Sequence, residues 1–379
     1  MVIPVYKLNC YISKLEIMIQ TGCNLRCKYC YANGGQYNYG KHHLSPEKAI
    51  EYIRSLIKDY YIKHVGTVFF FGGEPTAYPE TIRAVCDLFN EFAKSGLIDA
   101  IPKFTMVSNG TYYSSLLAET IKKYKIELTI SIDGPKKIHD QLRITSDGKG
   151  TFDTICENLK KIRNDNIHLN LVEVTYTTLH KKAGITPVQL RNYIRSIAGD
   201  VKVIVEPCEG KSKYAISNIQ EGTFEFDIED CLLGNNLSLI QTLLSVGAVS
   251  SFRCASGASA ISLLCDGRLY PCHRFLPDHE YCLGSYNDGK WDLSTYSEVY
   301  EKICKLNKSN MKKCKKCWAK FYCTGCPAIS KDQTVEEFDE NCFKIKRSIE
   351  RFILFWIKTS ENSEEFEKRE EQISKLIDI

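Results

Sequence analysis

The sequence has no apolar run long enough to cross a bilayer. Its longest runs, such as Phe352–Ile357, are far short of the roughly 20 residues a spanning helix needs. A secretory signal is also missing, because Lys7, Lys14 and Glu16 interrupt the apolar start and no small-residue cleavage site follows. There is no excess charge of one sign: Lys and Arg exceed Asp and Glu by 50 − 46 = 4 in 379 residues. Bulk charge therefore gives no ground for a nucleic-acid or membrane partner. Internal repeats and low-complexity linkers are absent too. These absences point to a cytoplasmic protein with room for two or three domains.

What the chain does have is cysteine, 18 in 379 residues, or about 5%, which is below the level of a disulfide scaffold. In a reducing compartment, clustered thiols are metal ligands or catalytic groups more often than bridges. Cys23, Cys27 and Cys30 form one cluster, and five cysteines fall between Cys314 and Cys342. The scattered remainder fits ordinary core positions, where a free thiol behaves as a small apolar group.

Up to residue 215 the chain alternates strand-like and helix-like segments. Apolar, β-rich runs lie at 14–20, 66–71, 103–108, 127–132, 168–175 and 201–205. Between them come helical patterns, such as Ala49, Ile50, Ile53 and Ile57 after Ser45-Pro46-Glu47, an N-cap followed by a first-turn proline and an acidic residue. Residues 151–163 and 187–197 read as helices as well. Six strands alternating with helices predict an α/β fold, a parallel sheet arranged as an open, partial (β/α)6 barrel over residues 1–215. Residues 216–250 read as a connecting segment. From 251 to 343 the chain is Cys-rich and short of apolar runs, so a C-terminal domain organised by bound metal is expected there. Residues 344–379 read as a helical end.

The first cysteine cluster is Cys23-x3-Cys27-x2-Cys30, just after the first strand. At the C-terminal end of a strand, where α/β sheets build their sites, three such thiolates can hold a [4Fe–4S] cluster by three irons. The alternative is a zinc site, for which a fourth ligand would have to come from elsewhere. The companion segments are Gly72-Gly73-Glu74-Pro75 after the second strand, then Ser131-Ile132-Asp133-Gly134, His139-Asp140 and Arg143 around the fourth. With Tyr29 as the aromatic residue of CX3CXΦC, these segments resemble the radical SAM superfamily. The resemblance implies that S-adenosylmethionine binds the open iron of a cluster on Cys23, Cys27 and Cys30. Tyr29, Gly72, Gly73, Glu74, Ser131, Asp133 and Arg143 would form the rest of the cofactor site. Gly72 and Gly73 would let carbonyls approach the methionine ammonium, with Glu74 as a further acceptor. Ser131 would meet the ribose, and Arg143 would grip the carboxylate. The implied chemistry is reductive cleavage to a 5′-deoxyadenosyl radical that takes hydrogen from a substrate.

The C-terminal pattern is Cys254-x12-Gly267-x4-Cys272, then Cys314-x2-Cys317-x5-Cys323-x2-Cys326, then Cys342. It resembles a SPASM domain, in which two auxiliary [4Fe–4S] clusters sit. By that resemblance Cys254, Cys272 and Cys326 serve the first, and Cys314, Cys317, Cys323 and Cys342 the second, giving three clusters in all. Two features depart from the family: two residues rather than three precede Cys326, and no Cys lies about six residues before Cys254. The first auxiliary cluster is therefore expected to keep an open iron, with Cys265 a core residue of a hairpin over 262–270.

Tyr270-Pro271-Cys272-His273-Arg274-Phe275 and Cys317-Trp318-x2-Phe321-Tyr322-Cys323 resemble maturases that install Cys-to-carbon thioether bridges in Cys-rich ribosomal peptides. Anaerobic sulfatase-maturating enzymes, which oxidise Cys or Ser to formylglycine, share the architecture but carry Asp where this chain has His273. They are the alternative enzyme reading, and a non-catalytic zinc-binding scaffold is the alternative of another class. The implied partners are a Cys-rich precursor peptide and an electron donor such as flavodoxin or ferredoxin. Only 22 residues precede Cys23, so a leader-binding domain is not expected ahead of it. A separate leader-binding protein is one way to supply that role. The basic run from Lys302 to Lys320 reads as a solvated face or as a counter-charge to the clusters.

Overall fold

In this computed structural model the described residues are 8, 10–37, 39–208, 212–216, 255–276, 278–306, 308, 310–321, 323, 326–331 and 333–360. The first strand, β1 (Tyr11–Gln20), buries Ile12, Leu15, Ile17, Met18 and Ile19, and with them a single charged residue, Glu16. Five more strands follow in parallel and in order: β2 (His64–Gly72), β3 (Lys103–Ser108), β4 (Glu127–Ser131), β5 (Leu169–Tyr176) and β6 (Lys202–Pro207). This is the α/β parallel sheet expected from the alternation. Phe70 of β2 stacks on Phe104 of β3 with ring centroids 6.1 Å apart. Pairs of this kind add about 0.5–1.5 kcal/mol beyond area burial.

Helices α1 (Pro46–Asp59), α2 (Pro79–Lys94) and α3 (Ser115–Tyr124) join the first four strands. Between β4 and β6 come α4 (Lys136–Leu142), α5 (Phe152–Asn164), α6 (Thr178–Lys182) and α7 (Pro187–Ala198). The Ser45 hydroxyl accepts from the Lys48 N–H at the start of α1, which buries Ala49, Tyr52, Ile53, Leu56 and Ile57. Thr186 and Gln189 cap α7 reciprocally at 3.2 and 2.9 Å.

The sheet does not stop at six strands. β7 (Ala260–Leu263) pairs in parallel with β1 over Lys14–Ile17, and β8 (Arg268–Tyr270), β9 (Gly284–Asn287) and β10 (Lys290–Asp292) continue it antiparallel. The order is β10-β9-β8-β7-β1-β2-β3-β4-β5-β6. Residues 260–292, which the sequence groups with the Cys-rich region 251–343, thus belong to the barrel's own sheet. They pair with the edge that β1 would otherwise leave open.

One compact unit contains the described residues up to 216 together with 255–300, and a second contains those from 301 onward. The second unit includes a long helix, Val335–Ser360. It starts before the expected boundary at 344 and so carries Cys342. Of the connecting segment expected over 216–250, all but its first residue lies outside the described residues, as does the chain beyond 360. Among the described residues, no helix is long and apolar enough to cross a membrane.

Candidate active site and cysteine centres

Cys23, Cys27 and Cys30 are half-buried free thiols on the loop that leaves β1. The Cys23 sulfur accepts from the Leu25 N–H at 3.4 Å and from Asn109 Nδ2 at 3.5 Å. Asn109 Nδ2 also donates to Asn24, and Asn24 donates to Thr111, which ties the loop to the end of β3. On the opposite side, the Arg26 N–H donates to the Ile144 carbonyl at 2.6 Å and the Lys28 N–H to the Leu142 carbonyl at 2.9 Å. Burial pushes the Cys23 thiol up to about 11, with the nearby Glu74 charge adding to it, and burial raises Cys27 as well. Unmetallated, the Cys23 and Cys27 sulfurs keep their protons; a metal core would displace them on binding. Asn24, Asn109 and Thr111 were not singled out in the sequence, where only the Asn109-Gly110 turn after β3 was there to be read.

The Gly72-Gly73 turn packs backbone to backbone on this loop. A Cβ on Gly73 would sit 1.7 Å from the Gly22 carbonyl oxygen, and one on Gly72 (φ +139°) would sit 2.3 Å from that of Gln20. The glycine pair is thus required first by the approach of β2 to the end of β1. Glu74, 1% exposed, is strongly engaged within the protein. Its Oε1 accepts from the Thr76 hydroxyl at 2.6 Å, the Thr76 N–H at 3.1 Å and the Ser108 hydroxyl at 2.9 Å, while Oε2 accepts from the Asn109 N–H at 2.6 Å. Burial still pushes this carboxyl up, against the pull of those bonds. The side chain expected as an acceptor for the cofactor here straps the β2 turn to the end of β3.

Tyr29, Asp133 and Arg143 meet. The Tyr29 hydroxyl donates to Asp133 Oδ2 and accepts from Arg143 Nη1 at 2.9 Å. Asp133 Oδ1 accepts from the Thr175 N–H at 3.1 Å, and the Asp133 carbonyl accepts from His180 Nε2 at 2.6 Å. Ser131, half-buried at the end of β4, pairs with Glu173 of β5. The Arg143 guanidinium is buried beside Cys27, yet its Nε has no hydrogen-bond partner among the described residues. An unpaired buried donor on a cation is costly unless something anionic completes it. The α-carboxylate of an amino-acid cofactor has the charge and the two-oxygen geometry to do so. The residues present therefore fit S-adenosylmethionine and a thiolate-bound cluster.

A second polar group lies in the same unit, where Glu16 of β1 meets His273. Glu16 Oε2 accepts from the Ser262 hydroxyl, from the His273 N–H at 3.1 Å and from His273 Nδ1 at 3.1 Å, while Oε1 pairs with Lys14 at 2.6 Å. Burial alone would raise the Glu16 carboxyl, but the hydrogen bond and charge of His273, with Lys14, carry it well below the usual carboxylate range. The His273 ring packs against Phe71, one residue before the glycine pair, at 5.1 Å. A glutamate inside an apolar strand was the available signal. Cys265 is buried, and its thiol donates to the Met18 carbonyl at 3.1 Å, as a packing residue would.

In the second unit Cys314, Cys317, Cys323 and Cys342 line one cavity of about 80 Å³, together with Lys308 and Lys346. Burial, followed by the neighbouring thiols, raises Cys314 and Cys342. Four thiols around one space fit a cubane core better than isolated packing cysteines would. No group of three His, Cys, Asp or Glu side chains preformed for a single metal ion occurs among the described residues. Cys272 follows β8 and Cys326 precedes the short helix Pro327–Ser330, both half-buried. Cys254 lies outside the described residues.

The family profile described as the Radical SAM superfamily matches residues 17–182. The radical SAM cyclopropyl synthase TigE of Paramaledivibacter caminithermalis is 28% identical over 170 residues, which cover 42% of this chain and 34% of that protein. The cysteine-type anaerobic sulfatase-maturating enzyme of Clostridium perfringens is 24% identical over 356 residues, 87% of this chain and 93% of that one. Among solved structures, anSMEcpe with bound AdoMet superposes with a TM-score of 0.69 at 20% identity, over 92% of this chain and 99% of that chain. Streptococcus suis SuiB bound to the precursor peptide SuiA gives 0.57 at 17% identity, over 87% of this chain and 75% of that chain. At such identities the structures speak for the fold alone. The profile match, the parallel sheet and the three-cysteine loop together identify residues 17–182 as a radical SAM domain.

Proposed function

We propose that this protein is a radical SAM/SPASM maturase that forms Cys-to-carbon thioether bridges in a Cys-rich ribosomal peptide. The observation that carries the cofactor half of this reading is the buried Arg143 guanidinium with an unpaired Nε beside Cys27. Cys23, Cys27 and Cys30 hold the catalytic cluster, and Arg143 orients the cofactor carboxylate. Bound cofactor and cluster supply hydrogen-atom abstraction from the substrate. The protein's own contribution is to bind, orient and exclude water. Asn109 and the Leu25 N–H donate to the Cys23 sulfur, and Tyr29 fixes the guanidinium plane.

The peptide half is supported by the four-thiol cavity, read as an auxiliary cluster site, and by the Tyr270–Phe275 and Cys317–Cys323 wording of the sequence. Cys254, Cys272 and Cys326 are proposed for the first auxiliary cluster, with an iron left open to a substrate thiol. A flavodoxin- or ferredoxin-type donor supplies electrons, and a separate protein is a candidate for leader binding. Mass spectrometry of a Cys-rich peptide treated with reconstituted enzyme tests this. The expected result is a loss of two hydrogens per bridge with a matching fall in free thiols, and an unmodified peptide contradicts it.

One observation favours formylglycine formation as the second reading. His273, which stands where sulfatase-maturating enzymes carry Asp, is held by the Glu16 carboxylate through Nδ1 at 3.1 Å, and an imidazole fixed at that position is a proton-transfer group. An aldehyde on a treated Cys or Ser peptide would select this reading over the first.

A further inference from the structure

His139 is wholly buried in α4, and nothing in the proposed chemistry uses it. Both ring nitrogens are committed. The Asp133 N–H donates to Nδ1 at 3.2 Å, so the proton resides on Nε2, which donates to the Thr151 hydroxyl at 3.1 Å. That hydroxyl in turn donates to the Arg143 carbonyl at 2.8 Å, and the Arg143 N–H donates to the His139 carbonyl at 2.8 Å. Successive carbonyls then alternate in direction. Leu142 and Ile144 point theirs at the Lys28 and Arg26 N–H groups of the cysteine loop, while Arg143 points its own back at Thr151.

We propose that His139 and Thr151 are positioning residues that set the register of Leu142–Ile144 against the Cys23–Cys30 loop. Arg143 and the three thiols are thereby placed as one unit. The inference rests on the reading of Arg143 as the cofactor-carboxylate site. A slip of this segment would move the guanidinium and loosen the loop together. Ligand binding at Arg143 and order in the loop must then be coupled, and thermodynamic linkage makes the coupling reciprocal. The relay consists of neutral groups, so it adds no charge beside the cluster; its only product is geometry.

The test uses reconstituted holoenzyme and two readouts, S-adenosylmethionine affinity by equilibrium dialysis and amide hydrogen exchange across residues 23–30. Thr151→Val keeps the side-chain shape and removes the relay. It should weaken S-adenosylmethionine binding about tenfold, the equivalent of one ordinary hydrogen bond, and speed exchange at Arg26 and Lys28 while α1 and α2 stay protected. Thr151→Ser restores the hydroxyl and should restore both readouts. In the parent protein, S-adenosylmethionine should slow exchange at Arg26 and Lys28, a measurement that stands even if Thr151→Val does not fold. A Thr151→Val protein with parental affinity and parental exchange overturns the proposal, as does unchanged exchange in the parent with cofactor bound. A parent that binds no S-adenosylmethionine at all instead overturns the cofactor reading. The exchange of Thr151→Val against Thr151→Ser still decides the brace in that case.

Discussion

Arg143 Nη1 donates to the Tyr29 hydroxyl at 2.9 Å, and Tyr29 donates in turn to Asp133. The aromatic residue inside the three-cysteine motif therefore joins a buried cation to a buried anion. Burial pushes the Tyr29 phenol well above its ordinary range, so it stays a neutral donor at any working pH. This hydroxyl adds a side-chain link to the backbone bonds by which Arg26 and Lys28 hold the cysteine loop to the segment after β4.

Tyr29→Phe keeps the ring and removes the link. It leaves Asp133 Oδ2 and Arg143 Nη1 without this partner in a dry site. Loss of about 1–3 kcal/mol of stability is expected, read by urea unfolding. A change within about 0.5 kcal/mol, the level of an ordinary surface substitution, would mean the hydroxyl is not structural.

Arg143→Ala should weaken S-adenosylmethionine binding about ten- to a hundred-fold, the range of a charge-assisted hydrogen bond. Arg143→Lys should rescue it poorly, because an ammonium cannot meet Tyr29 and a carboxylate in one plane. Equal affinity in parent and Ala variant would reduce Arg143 to a structural cation.

Acid should destabilise the fold in two windows. Burial pushes His139 down to about 3 and also lowers His180. Unfolded, each imidazole takes up a proton below about pH 6.5. The stability that the neutral rings contribute is therefore complete above that pH and lost as pH falls, for His139 by at most about 1.4 kcal/mol per pH unit. The Glu16 carboxyl is lowered in the folded state, so its share persists further and disappears only below the ordinary carboxylate range. Urea unfolding at pH 7.5 and 5.5 should show a larger loss in the parent than in His139→Gln. Equal losses would contradict the assignment.

Replacing Cys314 and Cys323 together by Ala should lower iron from about 12 to about 8 per chain, the difference of one cubane. Cofactor cleavage at the N-terminal site should continue. Unchanged iron would mean the four-thiol cavity is a packing feature.

The six parallel strands were legible because each carries an apolar run and several of the intervening helices a side-chain cap, as at Ser45, Ser114 and Thr186. The cysteine loop was visible from its spacing, which left zinc open until the companion segments around Gly72, Asp133 and Arg143 were read with it. What spacing could not show was the use of Glu74 and Asp133, motif residues whose carboxylates are engaged by Ser108, Asn109 and Thr175. Those partners come together only when β2 to β5 are in register. The extension of the sheet by β7 was hidden for the same reason. A four-residue strand has little pattern of its own, and its place is decided by the open edge of β1. Glu16 was visible as a charge in an apolar strand, but its meaning depends on His273, 257 residues away.

The most direct measurement is 5′-deoxyadenosine formation by anaerobically reconstituted, reduced protein, comparing the parent with a Cys23→Ala, Cys27→Ala, Cys30→Ala variant. The parent should cleave S-adenosylmethionine, and the variant should not, although it keeps iron in its second unit. Equal 5′-deoxyadenosine from both proteins would contradict the placement of the catalytic centre on this loop.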